Sequence, residues 1–337
     1  MASSSSTTKA NVNESQKMVR QVPGSKEPDL QSYYRFHDGE WVASSSPSSQ
    51  SLEASSPQKI KLLTWNIDAQ APGPRIRMSA ALNHLCQLLT TPTPTIIFLQ
   101  EMTPSDLEQI RATEWIRSRF QITDIDVQNW CSPYYGTVTL VDLQLRILRV
   151  FRVPWVSNME RDGLFVDVYF GGDGEEAAGQ REKPIRFCNV HLESLVRNPP
   201  LRPQQVNTAS QYLHDPDVRG GIMAGDFNAI EPFDKTLHLD YGLHDAFLEL
   251  GGKEDEEKGF TWGYQSRQDE QERFGRQRLD KIVWCGDGVR ILGLERIGMG
   301  VMVEEKYWKA MYSYGTVRFV TDHYGLGAEF VFGQGRE

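Results

Sequence analysis

The order of apolar runs predicts a mixed α/β chain, and three observations lead there. First, Ile60 to Asp68, Arg75 to Leu89 and Thr95 to Glu101 read as strand, helix and strand. Second, Tyr134 to Val141, Leu145 to Val153, Leu164 to Phe170 and Ile185 to Val190 alternate like the strands of a meander. Third, several apolar runs stop abruptly at carboxylates, carboxamides or imidazoles, which places reactive groups at strand ends.

From residue 1 to about 58 the chain is rich in Ser, Thr, Gln and Pro, too polar to offset its ordering entropy, and reads as a disordered arm. Tyr33-Tyr34-Arg35-Phe36 and Trp41-Val42 are out of character there and predict a docking segment at 33–42. In the helix from Arg75 to Leu89, Met78, Leu82, Leu85 and Leu89 recur at helical spacing, and His84 takes a surface or half-buried place. Pro92 and Pro94 break that helix. A second helix is expected from Ser105, as N-cap, to about Arg117.

The segment Gly171 to Glu176 reads as a solvated hairpin loop, and Pro203 to Leu213 as a helix leading into the apolar run Gly220-Gly221-Ile222-Met223-Ala224-Gly225. That run ends in Asp226-Phe227-Asn228, and on a strand an Asp and an Asn two apart face the same pocket. A carboxylate can take a proton from water and a carboxamide can fix that water, so the pair suits hydrolysis. Beyond it come a charged loop (251–258), a short aromatic strand (260–262), a polar excursion (265–278), strands at 279–284 and 289–292, and an Asp322-His323 step between apolar runs.

The chain has 337 residues, 39% hydrophobic and 24% charged, enough for a sizeable core. No apolar run approaches the ~20 residues of a membrane span, and the start lacks the apolar stretch of a secretory signal, so an intracellular protein with no membrane partner is expected. The four cysteines are scattered without a C-x-x-C pair, which predicts reduced packing residues. A net charge of −9 argues against a broad phosphate-tracking surface but not against a local grip on one nucleic-acid end.

Six strand ends therefore carry polar groups: Asn66, Glu101, His191, Asp226 with Asn228, Asp280, and Asp322 with His323. Together they supply the oxygen donors and imidazoles that metal-assisted phosphate hydrolysis requires. In order and wording, Thr64-Trp65-Asn66, Leu99-Gln100-Glu101, His191-Leu192-Glu193-Ser194, Gly225-Asp226-Phe227-Asn228, Leu279-Asp280-Lys281-Ile282 and Thr321-Asp322-His323 resemble the motifs of the endonuclease/exonuclease/phosphatase superfamily. Within it, the T-W-N-I-D, F-L-Q-E, H-L-E-S, F-T-W and D-H-x-G-L phrases look most like the 5′-tyrosyl-DNA phosphodiesterases, which free a DNA 5′ end from a topoisomerase II tyrosine.

The resemblance implies a catalytic domain over 59–333 built as a four-layer α-β-β-α sandwich, two mixed sheets packed together with the active site at one rim. It implies one Mg²⁺, replaceable by Mn²⁺, held by Glu101 with Asn66 nearby. Asp226 would activate the attacking water that Asn228 positions, while His323 and His191 stabilise the phosphoryl oxygens and Asp280 or Asp322 orients His323. Arg161 and Ser194 would lie along the substrate, and Trp262 would stack on a base or on tyrosine, with a core role as its alternative. The implied partner is a single-stranded or frayed DNA 5′ end bearing a tyrosyl adduct, met by a monomer in the nucleus during DNA repair. One position departs: Ile230 stands where those phosphodiesterases carry a phosphate-gripping Arg, which keeps another nucleic-acid end or a small phosphoester open as substrate. Tyr324 for their usual Trp is a milder change.

Overall fold

Strands of β-branched and aromatic residues assemble into two sheets in the computed structural model, which describes residues 24–44, 59–170, 183–309 and 318–333. In chain order the strands are β1 (Asp29–Gln31), β2 (Tyr33–His37), β3 (Glu40–Ser44), β4 (Lys59–Asn66), β5 (Thr95–Met102), β6 (Phe120–Ile122), β7 (Gly136–Asp142) and β8 (Arg146–Pro154). They continue as β9 (Asp162–Tyr169), β10 (Ile185–His191), β11 (Gly220–Asp226), β12 (His244–Asp245), β13 (Asp280–Cys285), β14 (Val289–Ile297) and β15 (Gly325–Phe332). One sheet has seven strands in the order β1-β8-β9-β10-β11-β13-β12, and the other eight in the order β14-β15-β4-β5-β7-β6-β2-β3. Both are mixed: β10 with β11 and β4 with β5 run parallel, and the other pairs antiparallel.

Period-two alternation sorts the side chains into layers. Leu62, Phe98 and Phe330 of one sheet meet Val166, Phe187 and Ile222 of the other in the central core. Their neighbours Leu63, Ile97 and Leu99 point outward and are covered by Met78, Leu82 and Leu85 of α1 (Pro74–Leu88) and Ile110 of α2 (Pro104–Ala112). On the far side Phe165, Cys188 and Met223 are covered by Val206, Ala209 and Leu213 of a helix at Arg202–Leu213. The result is the four-layer α-β-β-α sandwich.

Three local readings change. Thr103, not Ser105, caps α2: its hydroxyl accepts from the Asp106 amide at 3.3 Å while the Asp106 carboxylate takes the Thr103 amide at 2.8 Å, a reciprocal box that Ser105 inside the first turn cannot make. That helix stops at Thr113, and α3 (Glu114–Arg119) follows as a separate piece. The four-strand meander is divided as well, since β7 belongs to the eight-stranded sheet and β8, β9 and β10 to the seven-stranded one. Residues 143–145, with Leu145 buried and its amide donating to Asp142 O at 2.9 Å, form the tight turn that carries the chain from one sheet to the other.

Residues 29–44, which lie in the expected arm and include the docking segment expected at 33–42, form strands: β1 pairs with β8 at the edge of one sheet, and the β2–β3 hairpin adds to β6 at the edge of the other. The expected loop at 171–176 and the rest of the arm lie outside the described residues.

Candidate active site

Register places the polar groups side by side. At the end of the seven-stranded sheet His191 pairs with Asp226 and Asp226 with Asp280, so three neighbouring strands deliver an imidazole and two carboxylates in one row. Facing them from the other sheet are Asn66 at the end of β4, Glu101 near the end of β5, and His323 just before β15.

Glu101 reaches this rim by breaking strand alternation. Gln100 already points between the sheets, donating to Asn189 Oδ1 at 2.7 Å and to Thr64 Oγ1 at 3.0 Å, so an ideal strand would send Glu101 to the opposite face. A register shift between Leu99 and Met102 and a left-handed φ of 55° at Glu101 turn it inward instead. The Gln100–Asn189 bond meanwhile locks one sheet to the other directly beneath the rim.

Asn66 clamps the carboxylates. Its Nδ2 donates to Glu101 Oε1 at 3.2 Å and to Asp226 Oδ2 at 3.0 Å, and its Oδ1 accepts the Asp68 amide at 2.9 Å. Because a backbone N–H can only donate, that last bond fixes which end of the amide faces which partner. The Asn66 oxygen is therefore turned to the backbone rather than toward a cation.

Asp226 is 1% exposed; Oδ1 accepts the Asn228 amide at 2.8 Å, and Oδ2 lies 3.5 Å from His191 Nε2 and 3.8 Å from His323 Nε2. Burial, reinforced by Asp280 and opposed by His323, pushes its carboxyl up to about 7. Strand alternation does not reach Asn228: β11 ends at Asp226, the chain turns left-handed at Asn228 (φ 47°), and the carboxamide donates to Leu192 O at 3.0 Å. It stands beside the Asp226 carboxylate through a turn.

The two histidines are shifted in opposite directions. His323 Nδ1 meets Asp280 Oδ2 at 2.8 Å; burial opposes its charge, but the carboxylates of Asp280, Asp322 and Asp226 outweigh burial and hold the ring well above its usual pKa. His191 has no such partner at bonding distance, and burial, with Arg161 and His323 adding to it, holds it well below. Among the described residues, neither of its ring nitrogens has a hydrogen-bond partner.

Of the two carboxylates expected to orient His323, Asp280 makes the bond. Asp322 accepts Trp262 Nε1 at 2.6 Å and lies 3.9 Å from His323 Nε2, so it acts on the ring through charge. Trp262 is half-buried, its backbone bridged to His323 and its ring edge-on to Phe274 at 6.3 Å. Arg161 Nη1 donates to Leu192 O and, at 2.8 Å, to Ser194 Oγ, while its Nε reaches the Tyr135 hydroxyl at 3.5 Å.

Asp68 and Tyr135 belong to this neighbourhood and were not singled out from the sequence. Asp68, left-handed at φ 63°, is pushed up to about 7 by burial and by the charges of Asp322 and Glu101. Its signal was its place two residues past Asn66; Tyr135, 6.2 Å from the His191 ring, had none.

Two overlapping sets, Glu101 with His191 and Asp226, and Asp226 with Asp280 and His323, each bring their ligand atoms within 4.8 Å. Glu101 keeps one oxygen on the Ala69 amide at 2.9 Å and turns the other into the rim. One or two carboxylate oxygens among polar groups open to water and phosphate is the donor chemistry a hard divalent cation takes, so these residues fit the divalent metal that the resemblance implies.

The model of the endonuclease/exonuclease/phosphatase family matches residues 63–323. The chain is similar to tyrosyl-DNA phosphodiesterase 2 of Rattus norvegicus, 25% identical over 298 residues that cover 85% of this chain and 70% of the relative. Its fold is similar to that of D. rerio TDP2 solved with a single strand DNA product, at a TM-score of 0.59 and 19% identity, covering 81% of this chain and 98% of that one. It is likewise similar to C. elegans TDP2, at a TM-score of 0.60 and 20% identity over 83% of this chain and 77% of that one. The chain belongs to the endonuclease/exonuclease/phosphatase family and is a phosphodiesterase hydrolase.

Proposed function

We propose that this protein hydrolyses the bond between a tyrosine and a DNA 5′ phosphate, with Mg²⁺ as its metal, in the repair of topoisomerase-blocked ends. The observation that carries the chemistry is the convergence of Asn66, Glu101, His191, Asp226, Asp280 and His323 on one rim. The similarity to tyrosyl-DNA phosphodiesterase 2 supports the substrate. In this reading a monomer acts in the nucleus on a single-stranded or frayed end.

Asp226 takes a proton from the attacking water, a role suited to a carboxyl poised near neutrality, and Asn66 and the Asn228 amide hold it in place. His323, cationic and fixed by Asp280, bonds a phosphoryl oxygen as negative charge builds on it, and His191 offers a free ring nitrogen to another. The phosphorus–oxygen bond to tyrosine breaks, and the phenol, with an ordinary pKa near ~10, leaves readily without a dedicated acid. Mg²⁺ held at Glu101 would neutralise charge on the phosphate. Arg161 steadies the substrate with Ser194, and Trp262 flanks the entering strand.

Ile230 favours a second reading, in which the same chemistry serves another nucleic-acid end or a small phosphoester. This half-buried side chain offers no guanidinium, and a lost charge-assisted bond is worth about 1.5–3 kcal/mol. Cleavage of a 5′-phosphotyrosyl oligonucleotide, compared with a plain aryl phosphodiester, separates the two. The first reading predicts release of tyrosine that EDTA stops and that Asp226→Asn or His323→Ala lowers by about 10²–10⁴-fold. An intact oligonucleotide beside a cleaved aryl ester would leave only the second.

A further inference from the structure

Residues 319–323 bring His323 to the rim from outside the sheet. β15 begins at Gly325 and its first pair with β4 is Leu326 with Thr64, so the residues before it are joined to neighbouring backbone by isolated bridges, Met302 with Phe319 and Trp262 with His323. Side chains take up several of their carbonyls. Gln265 Nε2 donates to Thr321 O at 2.9 Å and Trp65 Nε1 to His323 O at 3.1 Å. Arg77 takes two more: its Nη1 donates to Phe319 O and, at 2.9 Å, to Val320 O.

Local rules do not favour an arginine at position 77. It is the fourth residue of α1, whose first turn has no acidic side chain, and a cation there faces the positive end of the helix dipole. It is also 1% exposed, so its guanidinium gives up its hydration. What offsets both costs is where the side chain reaches. Like other helical side chains it leans back toward the helix start, and its Nε donates to Pro72 O at 2.8 Å. Pro72 lies in the loop that follows Asn66, so one planar fork ties the loop after β4 to the stretch before β15. Asp68 and Asp322, whose charges support the guanidinium against burial, stand on the same two segments.

We propose that Arg77 is a positioning residue for the hydrolysis: by holding the carbonyls of Phe319 and Val320, it sets where the His323 imidazole stands against the phosphoryl group. Buried as it is, it does not meet the substrate itself. The proposal rests on the role given to His323 above. A displacement of about 1 Å at a reacting group can cost about 10²-fold in rate.

Arg77→Lys keeps the charge and loses the fork, and Arg77→Ala loses both. Arg75→Ala is the control, an exposed residue of the same helix that pairs with Glu108. On the 5′-phosphotyrosyl oligonucleotide, both Arg77 variants should lower kcat by about 10–100-fold with KM held within about twofold, and Arg75→Ala should change neither. Nitrogen NMR of the full chain, without substrate and at one pH, should show the His323 ring signals moved in Arg77→Lys and those of His214, beyond the helix at Arg202–Leu213, in place. Urea midpoints confirm that the variants are folded, and Arg77→Lys, the milder change, carries the test should Arg77→Ala not fold. A folded Arg77→Lys with wild-type kcat, unmoved His323 signals or a loss confined to KM overturns the proposal. If the wild type leaves the oligonucleotide intact, the functional reading fails, whereas the NMR comparison still decides whether Arg77 places the ring.

Discussion

His323 carries its charge in a buried place only because Asp280 and its neighbours outweigh the cost of burial, and this has a signed pH consequence. A ring whose folded pKa is raised contributes stability that is full below the unfolded value of about 6.5 and is lost as pH rises through the folded value. Activity that needs the imidazolium should follow the same limb, remaining beyond pH 6.5 and falling at higher pH. Asp280→Asn should move that alkaline limb of kcat/KM to lower pH, whereas an unmoved limb would mean that another group sets it. Removing the Trp262 donor from Asp322 is milder: Trp262→Phe should cost about 1.5–3 kcal/mol in urea unfolding and leave the limb in place. The polar residues at strand ends were legible in the sequence because an apolar run that stops at a carboxylate is a local signal. The left-handed turn at Glu101, the reversed duty of the Asn66 amide and the membership of Asp68 were not, since each depends on a partner from a distant segment.

The rim row is made by strand register, and one glycine secures it. Gly225 has φ 144°, and a Cβ there would lie 1.9 Å from the Val190 carbonyl on the paired strand. Gly225→Ala should therefore part β10 from β11 and displace His191 and Asp226 together. The expected loss is about 3–5 kcal/mol of stability by urea denaturation, with activity lost at temperatures where the fold remains. The Gln100–Asn189 bond between sheets makes a second test: Gln100→Leu takes the donor from buried Asn189 Oδ1 and from Thr64 Oγ1 and should cost about 1–3 kcal/mol. Helix α1 and strands β4, β5 and β11 could be read from period and composition alone. The capping of α2 and the parting of β7 from β8 could not, because the first turned on a side-chain reach and the second on which sheet a short link crosses to.

Across the whole molecule, motif order made the layers legible, while of the edges only a docking segment at 33–42 could be read, without its sheet. Residues 29–44 looked like an interruption in a polar arm, yet Tyr33 is 3% exposed, Trp41 Nε1 donates to Arg111 O at 3.1 Å and Gln31 Oε1 accepts from buried Arg152 at 2.9 Å. Its aromatic residues mark it as a docking segment, but the sheet edges that receive it come from distant parts of the chain. Deleting residues 1–44 should lower the urea midpoint substantially, at about 1.5–3 kcal/mol for each large apolar side chain uncovered. An unchanged midpoint would mean that the strands add nothing to the fold.

Hydrolysis of a 5′-phosphotyrosyl oligonucleotide in oxygen-18 water, with the products weighed by mass spectrometry, reads the proposed reaction at the bond itself. Water attack at phosphorus, aided by Asp226 and His323, predicts one heavy oxygen in the oligonucleotide 5′ phosphate and none in the released tyrosine. Label in the tyrosine, release of phosphotyrosine, or an untouched substrate would contradict it.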